Sequence, residues 1–353
     1  MRVVVGMSGG VDSSVAALQL KREGHEVIGV FMNNWAEKDD MGVCTAESDW
    51  ADVRAVCDKI GIPYYAVNFQ KEYMDRVFEH FLAEYRRGRT PNPDVLCNRE
   101  IKFSALKDFA DRLGADALAT GHFARTDKFE GRARLLMSAD PDKDQTYFLY
   151  MLSQPQLMKA VFPVGGMTKA DIREIARAEG LRTAAKKDST GVCFIGERKF
   201  RQFLQNYLPA QPGVIETVDG KAVGSHEGLM YYTPGQRRGL GVGGEGGRWY
   251  VVGKDLARNV LVVDQRADSP LLFSLESTLE DATWISGFPP LSPGEWLNVK
   301  ARLRHRQPLQ DAMICVDGTG ILVRFDQPQR AVTPGQSTVF YLDNECLGGG
   351  IVR

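Results

Sequence analysis

A loop rich in glycine and serine near residue 10 has residue types that suit phosphate binding. It reads Gly6-Met7-Ser8-Gly9-Gly10-Val11-Asp12-Ser13 and lies between an apolar run typical of a strand and an amphipathic stretch typical of a helix. Adjacent glycines let backbone N–H groups approach an anion closely, and a helix N-terminus adds the positive end of its dipole. The loop is neither a Walker A motif nor a Gly-x-Gly-x-x-Gly dinucleotide motif. A tight turn would explain two glycines alone, but the whole pattern predicts a phosphate site.

Two other segments carry a cysteine among residues that can change its reactivity. Cys97 follows Asn92-Pro93-Asp94 and precedes Arg99 and Lys102 at the predicted start of a helix. Positive charge and a helix dipole stabilise a thiolate at such a position. Cys193 lies between two glycines, a spacing that suits a mobile loop. Taken singly, either cysteine is more often a buried thiol than a nucleophile.

These motifs need a scaffold, and the first 200 residues alternate short apolar runs with amphipathic stretches. This alternation predicts an α/β domain with a doubly wound parallel sheet. The runs typical of buried parallel strands are Val3–Val5, Val27–Phe31, Tyr64–Val67 and Ala117–Thr120. The helical patterns cover 13–23, 47–60, 71–87, 101–113 and 168–179. Thr168 and Asp171 are spaced as in a capping box at the start of the last pattern.

The pattern changes after about residue 200, where glycine, proline and period-two alternation replace the helical signals. Asp219-Gly220 and Asp317-Gly318 are typical hairpin dipeptides. The predicted antiparallel strands are Trp249–Val252, Val260–Val263, Leu297–Leu303, Ala312–Val316, Ile321–Phe325 and Ser337–Leu342. We therefore predict a domain with both reactive cysteines over 1–204, a small β-rich domain over 205–272 and a β-barrel-like domain over 273–353.

Composition narrows the class of protein. The chain has 353 residues, 43% of them hydrophobic and 25% charged, and its formal net charge is −1. Such a balance is typical of a globular protein and excludes a nucleic-acid binder that depends on a large basic excess. No apolar run approaches the length of a membrane span, and the first residues read as a strand rather than a targeting signal, so we expect a cytoplasmic protein. The six cysteines form no Cys-x-x-Cys pair, which argues against a bound metal cluster and against a disulfide scaffold.

The loop from Ser8 to Ser13 resembles the pyrophosphate loop of the ATP-pyrophosphatase family. Together with the two cysteine segments, it is similar to the tRNA-specific 2-thiouridylases, and the resemblance covers almost the whole chain. Further matching motifs are Thr120-Gly121-His122, Lys143-Asp144-Gln145 and the segment from Thr233 to Gly241. The resemblance implies an N-terminal domain like the adenine nucleotide alpha hydrolases. It also implies ATP with Mg²⁺ and thiolation of the wobble uridine of tRNA at C2.

The same resemblance implies roles for individual residues. The implied ATP contacts are Gly6, Met7, Ser8, Gly9, Gly10, Val11, Asp12, Ser13, Met32 and Gly121. The implied tRNA contacts are Asn92, Pro93, Asp94, His122, Lys143, Asp144, Gln145, Arg304, His305 and Gln336. Cys193 would carry sulfur as a persulfide, Cys97 would be its partner nucleophile, and Asp94 would be a general acid or base.

Partners follow from the resemblance as well. It implies the lysine, glutamate and glutamine tRNAs as substrates and a cysteine desulfurase or a sulfur-relay protein as the donor. Two arginine clusters, at 86–89 and 302–306, are candidate RNA contacts, although a solvated surface explains the first equally well. The sequence leaves the oligomeric state open and is compatible with a monomer.

Two alternatives remain. One is another enzyme with the same ATP loop, such as an amide-forming ligase or an argininosuccinate-type synthetase. An amide-forming ligase usually needs a glutaminase domain, for which the chain has no room. The other alternative is a non-catalytic RNA-binding adaptor. The intact loop and both cysteines argue against it.

Overall fold

The computed structural model describes residues 1–35, 45–188, 200–243, 245–318 and 320–353. The first part of the chain alternates strands with helices, as the sequence predicts. Its strands are β1 (Arg2–Met7), β2 (Glu26–Asn33), β3 (Tyr64–Asn68), β4 (Ala117–Thr120), β5 (Ala124–Phe129), β6 (Arg132–Met137) and β7 (Ala160–Val161). The helices in the described residues are α1 (Val11–Arg22), α2 (Thr45–Ile60), α3 (Gln70–Tyr73), α4 (Glu79–Arg86), α5 (Pro93–Leu96), α6 (Leu106–Arg112), α7 (Gln154–Leu157), α8 (Lys169–Ala178) and α9 (Phe200–Gln205).

The first sheet is parallel and has the strand order β3-β2-β1-β4-β7. The direction of winding reverses between β1 and β4, so a cleft forms at the carboxyl ends of these two strands. Val3, Val4 and Val5 of β1 are fully buried, because the central strand of a sheet covered on both faces contacts no solvent. The predicted α/β class with a parallel sheet is confirmed.

Two helices in this region contain π-helical segments, a feature that the periodicity did not predict. Met74–Phe78 joins α3 to α4, and Cys97–Ala105 joins α5 to α6. A π-helical turn widens the helix and often marks a functional site. Cys97 is the first residue of the second segment.

The capping box predicted for α8 is confirmed. The Thr168 side chain accepts a hydrogen bond from the backbone N–H of Asp171, and Asp171 reaches back to the backbone N–H of Thr168. The helix ends before Gly180, whose φ of 60° is one that glycine adopts without strain.

A second, smaller sheet follows. Its strands are β8 (Gly213–Thr217), β9 (Ala222–His226), β10 (Tyr250–Asp255) and β11 (Val260–Asp264), in the order β10-β11-β8-β9. The Asp219-Gly220 dipeptide connects β8 to β9 as predicted, with Gly220 at a φ of 84°.

The last part of the chain forms a closed barrel. Its strands are β12 (Phe273–Trp284), β13 (Trp296–Arg302), β14 (Gln310–Asp317), β15 (Gly320–Arg330), β16 (Ser337–Leu342) and β17 (Glu345–Val352). The order is β12-β15-β14-β13-β16-β17, and β12 also pairs with β17, which closes the sheet. The predicted barrel-like architecture is confirmed.

The three regions pack together. The β5–β6 hairpin of the first region adds to the barrel sheet, because Leu135 and Leu136 pair with Cys346 and Glu345 of β17. One continuous cluster of buried side chains extends from the first sheet into the second sheet and the barrel. Among the described residues, no helix has both the length and the apolar character needed to cross a membrane.

Candidate active site

The glycine–serine loop lies at the carboxyl end of β1, between Met7 and the start of α1 at Val11. Gly9 has a φ of 74°, and a Cβ there would lie 2.8 Å from the backbone oxygen of Asp49. Conformation and space therefore both require glycine at this position. The loop is therefore packed closely against the start of α2.

Serine hydroxyls form hydrogen bonds within this loop. Ser13 Oγ accepts a hydrogen bond from the Ser8 backbone N–H at 3.2 Å and donates to the Gly10 carbonyl at 3.2 Å. Ser14 Oγ donates to the same carbonyl at 2.8 Å. These bonds fix the loop against the first turn of α1, where the free N–H groups and the helix dipole favour an anion.

Gly121 and Met32 lie at the same edge of the sheet as the loop. A Cβ on Gly121 would lie 2.5 Å from the Ser13 backbone nitrogen, so β4 and α1 are in direct backbone contact here. Met7 is paired with Phe31, which places the half-buried Met32 one residue further along β2. The structure thus brings together all the residues for which the sequence predicts ATP contacts.

A chain of ion pairs runs from the loop towards the next predicted group. Lys169 Nζ lies 2.7 Å from Asp12 Oδ1 and 2.8 Å from Asp188 Oδ1, so it bridges the two carboxylates. Asp188 also accepts from Lys143 and from Arg173, each at 2.8 Å. Lys143 is therefore connected to the phosphate loop through two carboxylates and one lysine.

The two carboxylates of this chain differ in acidity. Burial raises the pKa of Asp12, although the hydrogen bond from Lys169 opposes the shift. Burial would also raise the pKa of Asp188, but hydrogen bonds from Lys143 and Lys169 overcome it and hold this pKa well below its usual value. The pKa values of the two carboxylates are therefore shifted in opposite directions, although both carboxylates pair with Lys169.

The segment before Cys97 is a short capped helix. Asn92 is the N-cap and its side chain accepts from the Asp94 backbone N–H at 3.2 Å, while Pro93 occupies the first helical turn. Cys97 is fully buried. The helix that carries Cys97 continues beside β1, since a Cβ on Gly6 would lie 3.2 Å from the Leu106 side chain.

His122 links the Cys97 helix to the loop region. Its ring is buried, with Nδ1 2.7 Å from Thr120 Oγ1 and Nε2 3.4 Å from Lys102 Nζ. Burial and the positive charge of Lys102 lower the pKa of His122 well below its ordinary value. Because an ammonium only donates, Nε2 is the acceptor and the ring proton lies on Nδ1. Both ring nitrogens of His122 therefore have partners in this arrangement.

Asp144, which the resemblance implies as a tRNA contact, is buried in the structure. Its buried carboxylate lies 2.8 Å from Arg302 Nη1 and also accepts from the Thr146 hydroxyl and the Ser138 backbone N–H. Both partners of the ion pair are almost fully enclosed. In this arrangement Asp144 and Arg302 join the first region to the barrel, and neither charge is available to RNA.

Gln145 also has a structural contact. Its Oε1 accepts from the Phe123 backbone N–H at 2.8 Å, next to His122. Of the predicted Lys143-Asp144-Gln145 group, Lys143 is thus the residue whose charge lies nearest to solvent, with 28% of its side chain exposed.

The barrel residues predicted to contact tRNA meet the Asn92 segment. Gln336 Nε2 donates to the Thr90 carbonyl at 2.7 Å, two residues before Asn92. The His305 ring lies 4.6 Å from the Phe148 ring, centroid to centroid. Burial, followed by the positive charges of Arg306, Arg302 and Lys143, lowers the pKa of His305 to about 4.

Arg304 and the first arginine cluster are also partly engaged. Arg304 Nη2 donates to the Ala331 carbonyl, and burial lowers the pKa of its guanidinium. Arg89 is paired with Glu84 and Glu280. Arg89 therefore fastens the region before Asn92 to the barrel, whereas Arg87 is mostly exposed.

The second predicted cysteine, Cys193, lies outside the described residues. Asp188, which receives three cationic side chains, is the last position described before it.

Comparison with known proteins decides the family. The sequence matches the tRNA methyl transferase HUP domain over residues 1–197, the tRNA methyl transferase PRC-barrel domain over 201–265 and the aminomethyltransferase beta-barrel domain over 275–352. It is 57% identical over 353 residues to the tRNA-specific 2-thiouridylase MnmA of Geobacillus thermodenitrificans, covering 99% of this chain and 94% of that one. It is 55% identical over 352 residues to the protein of the same name from Bacillus subtilis, with 99% and 94% covered. The chain belongs to the tRNA-specific 2-thiouridylase family.

Among solved structures, this family member resembles the U34-tRNA thiolase NcsA from Methanococcus maripaludis at a TM-score of 0.37. The identity is 18%, and the match covers 54% of this chain and 61% of that one. A likeness of this size carries no argument about function.

Sequence reasoning missed several residues that shape the site of this 2-thiouridylase family member. Lys169, Arg173 and Asp188 form the charged link behind the loop. Tyr147 is buried and its hydroxyl donates to the Ser337 carbonyl at 3.0 Å, which fixes the barrel beside Asn92. One available signal was the position of Lys169 in the first turn of a helix whose capping box was already recognised.

Proposed function

We propose that this chain is an ATP-dependent tRNA sulfurtransferase that converts the wobble uridine at position 34 to 2-thiouridine, with release of AMP and pyrophosphate. The observation that carries the proposal is 55–57% identity over nearly the full length with named 2-thiouridylases. The geometry supports it, because the phosphate loop, His122 and the Cys97 helix pack against one another at the carboxyl edge of the sheet.

Activation comes first, since the C2 oxygen of uridine is a poor leaving group. That oxygen attacks the α-phosphorus of ATP, and pyrophosphate leaves with the electron pair of the broken P–O bond. N–H groups of the loop and of the α1 N-terminus would hold the departing pyrophosphate and stabilise its charge. Lys169 lies beside the loop and would exchange its Asp12 partner for phosphate oxygens.

Mg²⁺ would accompany ATP. It usually keeps several waters and binds one or two carboxylates plus substrate phosphates. Asp12 is a carboxylate of suitable position in the loop, and the described residues contain no cluster of three or more metal-ligating side chains. This set fits a cation held mainly by phosphates, whose charge it would neutralise.

Sulfur transfer follows. The terminal sulfur of a Cys193 persulfide attacks C2, and AMP leaves with the former C2 oxygen. Attack of the Cys97 thiolate on Cys193 Sγ then breaks the sulfur–sulfur bond, releases 2-thiouridine and leaves a Cys97–Cys193 disulfide. A cellular dithiol has to reduce this disulfide before the next cycle. A transient disulfide of this kind fits a cytoplasmic enzyme.

Cys97 and Asp94 have different roles in this scheme, the first as a nucleophile and the second in proton transfer. Cys97 is fully buried, so its thiol has to become accessible during each cycle. Asp94 lies in the first turn of the capped helix that leads to Cys97. We assign it to proton transfer at the target base, with Asn92 and Pro93 beside that base.

The target uridine has to leave its stack to reach the site. Lys143 belongs to the ion-pair chain, the His305 ring lies against Phe148, and Gln336 holds the barrel against the Asn92 segment. We propose that Lys143, His305 and Arg304 contact the anticodon region. The lysine, glutamate and glutamine tRNAs are the proposed substrates, and a cysteine desulfurase or a relay protein is the proposed donor.

Single serine substitutions separate the two half-reactions. With unmodified tRNA, Mg²⁺-ATP and a persulfide donor, Cys97→Ser and Cys193→Ser should each abolish 2-thiouridine formation. Both should still bind ATP and release pyrophosphate in the presence of tRNA. The buried Cys57→Ser is the matched control and should keep its thiolation activity.

Three results would redirect the assignment. Full thiolation by either Cys97→Ser or Cys193→Ser would contradict the two-cysteine scheme. Pyrophosphate release without any 2-thiouridine in the wild type, with several persulfide donors, would favour a ligase acting through the same loop. No tRNA-dependent pyrophosphate release would favour a binding adaptor.

A further inference from the structure

A cavity lies where the three regions of the chain meet. Its volume is about 390 Å³, and its walls come from 87–90 of the first region, 252–254 and Leu256 of the second and 331–334 of the barrel, with Leu271 and Phe273 at one side. Among the described residues, none of those assigned above to ATP or to sulfur transfer lines it, whereas Arg87 and Arg89 of the first arginine cluster do. Its volume is in the range of small-molecule sites, which is about 300–1,000 Å³.

The mouth of this three-region cavity is apolar. Leu256, Leu271 and Phe273 line it, and 56%, 58% and 38% of their respective surfaces are exposed. Single exposed leucines are ordinary, but several large apolar side chains around one opening form a contiguous patch, which marks an interaction site. Covering them would remove apolar surface from water.

A lysine lies inside the same cavity. Lys254 Nζ donates to the Gly88 carbonyl at 2.9 Å. Within the described residues, no carboxylate is close enough to Lys254 to form an ion pair. Burial lowers the pKa of Lys254 to about 8. Lys254 is only partly exposed, so its ammonium loses part of its hydration without a counter-ion, and an anion beside it would relieve that cost.

We propose that the three-region cavity binds a small molecule in which an apolar body carries a carboxylate. The carboxylate contacts Lys254, and the apolar body lies against Leu256, Leu271 and Phe273. The proposal goes beyond tRNA thiolation, since it uses none of the residues assigned to that reaction. Because all three regions contribute walls, the ligand stabilises their mutual arrangement, by an amount that grows with the logarithm of its concentration above Kd.

Two probes of the same shape test the role of charge. Calorimetric titration of the full chain with 4-phenylbutyrate should show one site per chain. The neutral 4-phenylbutanol should bind at least about tenfold more weakly, because it lacks the charge that Lys254 pairs with. Lys254→Met should remove this preference for the acid over the alcohol.

A second variant guards against misfolding of Lys254→Met. Leu271→Asp alters an exposed side chain at the mouth, adds a repelling charge and should abolish binding of the acid without changing the melting temperature. Lys221→Met, an exposed lysine on the second region, is the matched control and should bind like the wild type. Equal affinity for acid and alcohol, no binding of the acid by the wild type, or full binding by Leu271→Asp would each overturn the proposal.

Discussion

Replacing Gly121 by alanine should displace the start of α1 and weaken both ATP binding and thiolation. The reason is steric, because Gly121 follows β4 and touches the backbone of the first turn of α1. A Cβ at this position would lie 2.5 Å from the Ser13 nitrogen and 2.7 Å from the Asp12 carbonyl carbon. Backbone atoms of a helix cannot rotate aside as the end of a flexible side chain can.

The size of the effect follows from these distances. Ordinary van der Waals contact begins at 3.4 Å, so β4 and α1 must separate by about 1 Å or absorb the strain. Overpacking of this kind costs about 1–3 kcal/mol of the free energy of unfolding. A misplacement of about 1 Å at a reacting group lowers the rate on the order of 100-fold.

Gly166→Ala is the matched control, since a Cβ on Gly166 meets no atom within 4 Å. Urea unfolding, calorimetric ATP titration and the initial rate of 2-thiouridine formation would be measured for both variants. We expect Gly121→Ala to lose stability, ATP affinity and rate, and Gly166→Ala to match the wild type. Wild-type ATP affinity and rate in Gly121→Ala would refute the claim that the contact between β4 and α1 shapes the phosphate site.

The remaining predictions concern charged and titratable groups. Arg302→Met should lower the free energy of unfolding in urea by about 3–5 kcal/mol, because it leaves the Asp144 carboxylate buried without its partner. Arg324→Met removes an exposed arginine and should lower it by less than about 1 kcal/mol. Equal losses in the two variants would contradict the buried ion pair. Lys169→Met should slow tRNA-dependent pyrophosphate release while the fold stays intact by circular dichroism; an unchanged rate would remove this lysine from the phosphate site. His305 has a folded pKa of about 4, below its ordinary value of 6.5. As the pH falls from 6.5 to 4, only the unfolded chain therefore gains this proton, which lowers the free energy of unfolding. This loss of stability should be smaller in His305→Gln. A His305 ring proton signal that titrates near pH 6.5 by NMR would contradict the burial of the ring.

The sequence predicts much of the fold because buried parallel strands and capped helices are local patterns. Val3–Val5 and the Thr168 capping box lie where they were expected. Strand β17, which contains three consecutive glycines at 348–350, was not among the predicted strands. In the barrel a Cβ on Gly349 would lie 2.3 Å from the Thr338 carbonyl, so these glycines permit close strand packing that only the closed sheet reveals.

The β5–β6 hairpin was missed for a related reason. Its turn is formed by Glu130 and Gly131, both with positive φ, whereas the dipeptides searched for were of the Asp-Gly kind. Its partner, β17, lies more than 200 residues further along the chain. No local signal shows that the first region supplies strands to the barrel sheet.

The candidate site also has a part that local sequence patterns predict and a part that depends on distant positions. The phosphate loop is contiguous and could be predicted from its own residues. The Lys169–Asp12 pair joins positions 157 residues apart, and the Arg302–Asp144 pair joins positions 158 apart. The sequence alone does not distinguish a charged residue in such a pair from a charged residue exposed to solvent. The resemblance implied an RNA contact for Asp144 and the arginine cluster suggested one for Arg302, whereas in the fold the two side chains form an ion pair.

The measurement that tests the central claim most directly is nucleoside mass spectrometry of tRNA treated with the purified chain. Unmodified tRNA would be incubated with the protein, Mg²⁺ and a persulfide donor, once with ATP and once without it, and then digested to nucleosides. The account predicts 2-thiouridine at position 34 only when ATP is present, with one AMP formed per thiolated base. Thiolation without ATP, or AMP formation with no 2-thiouridine under any persulfide donor, would contradict it.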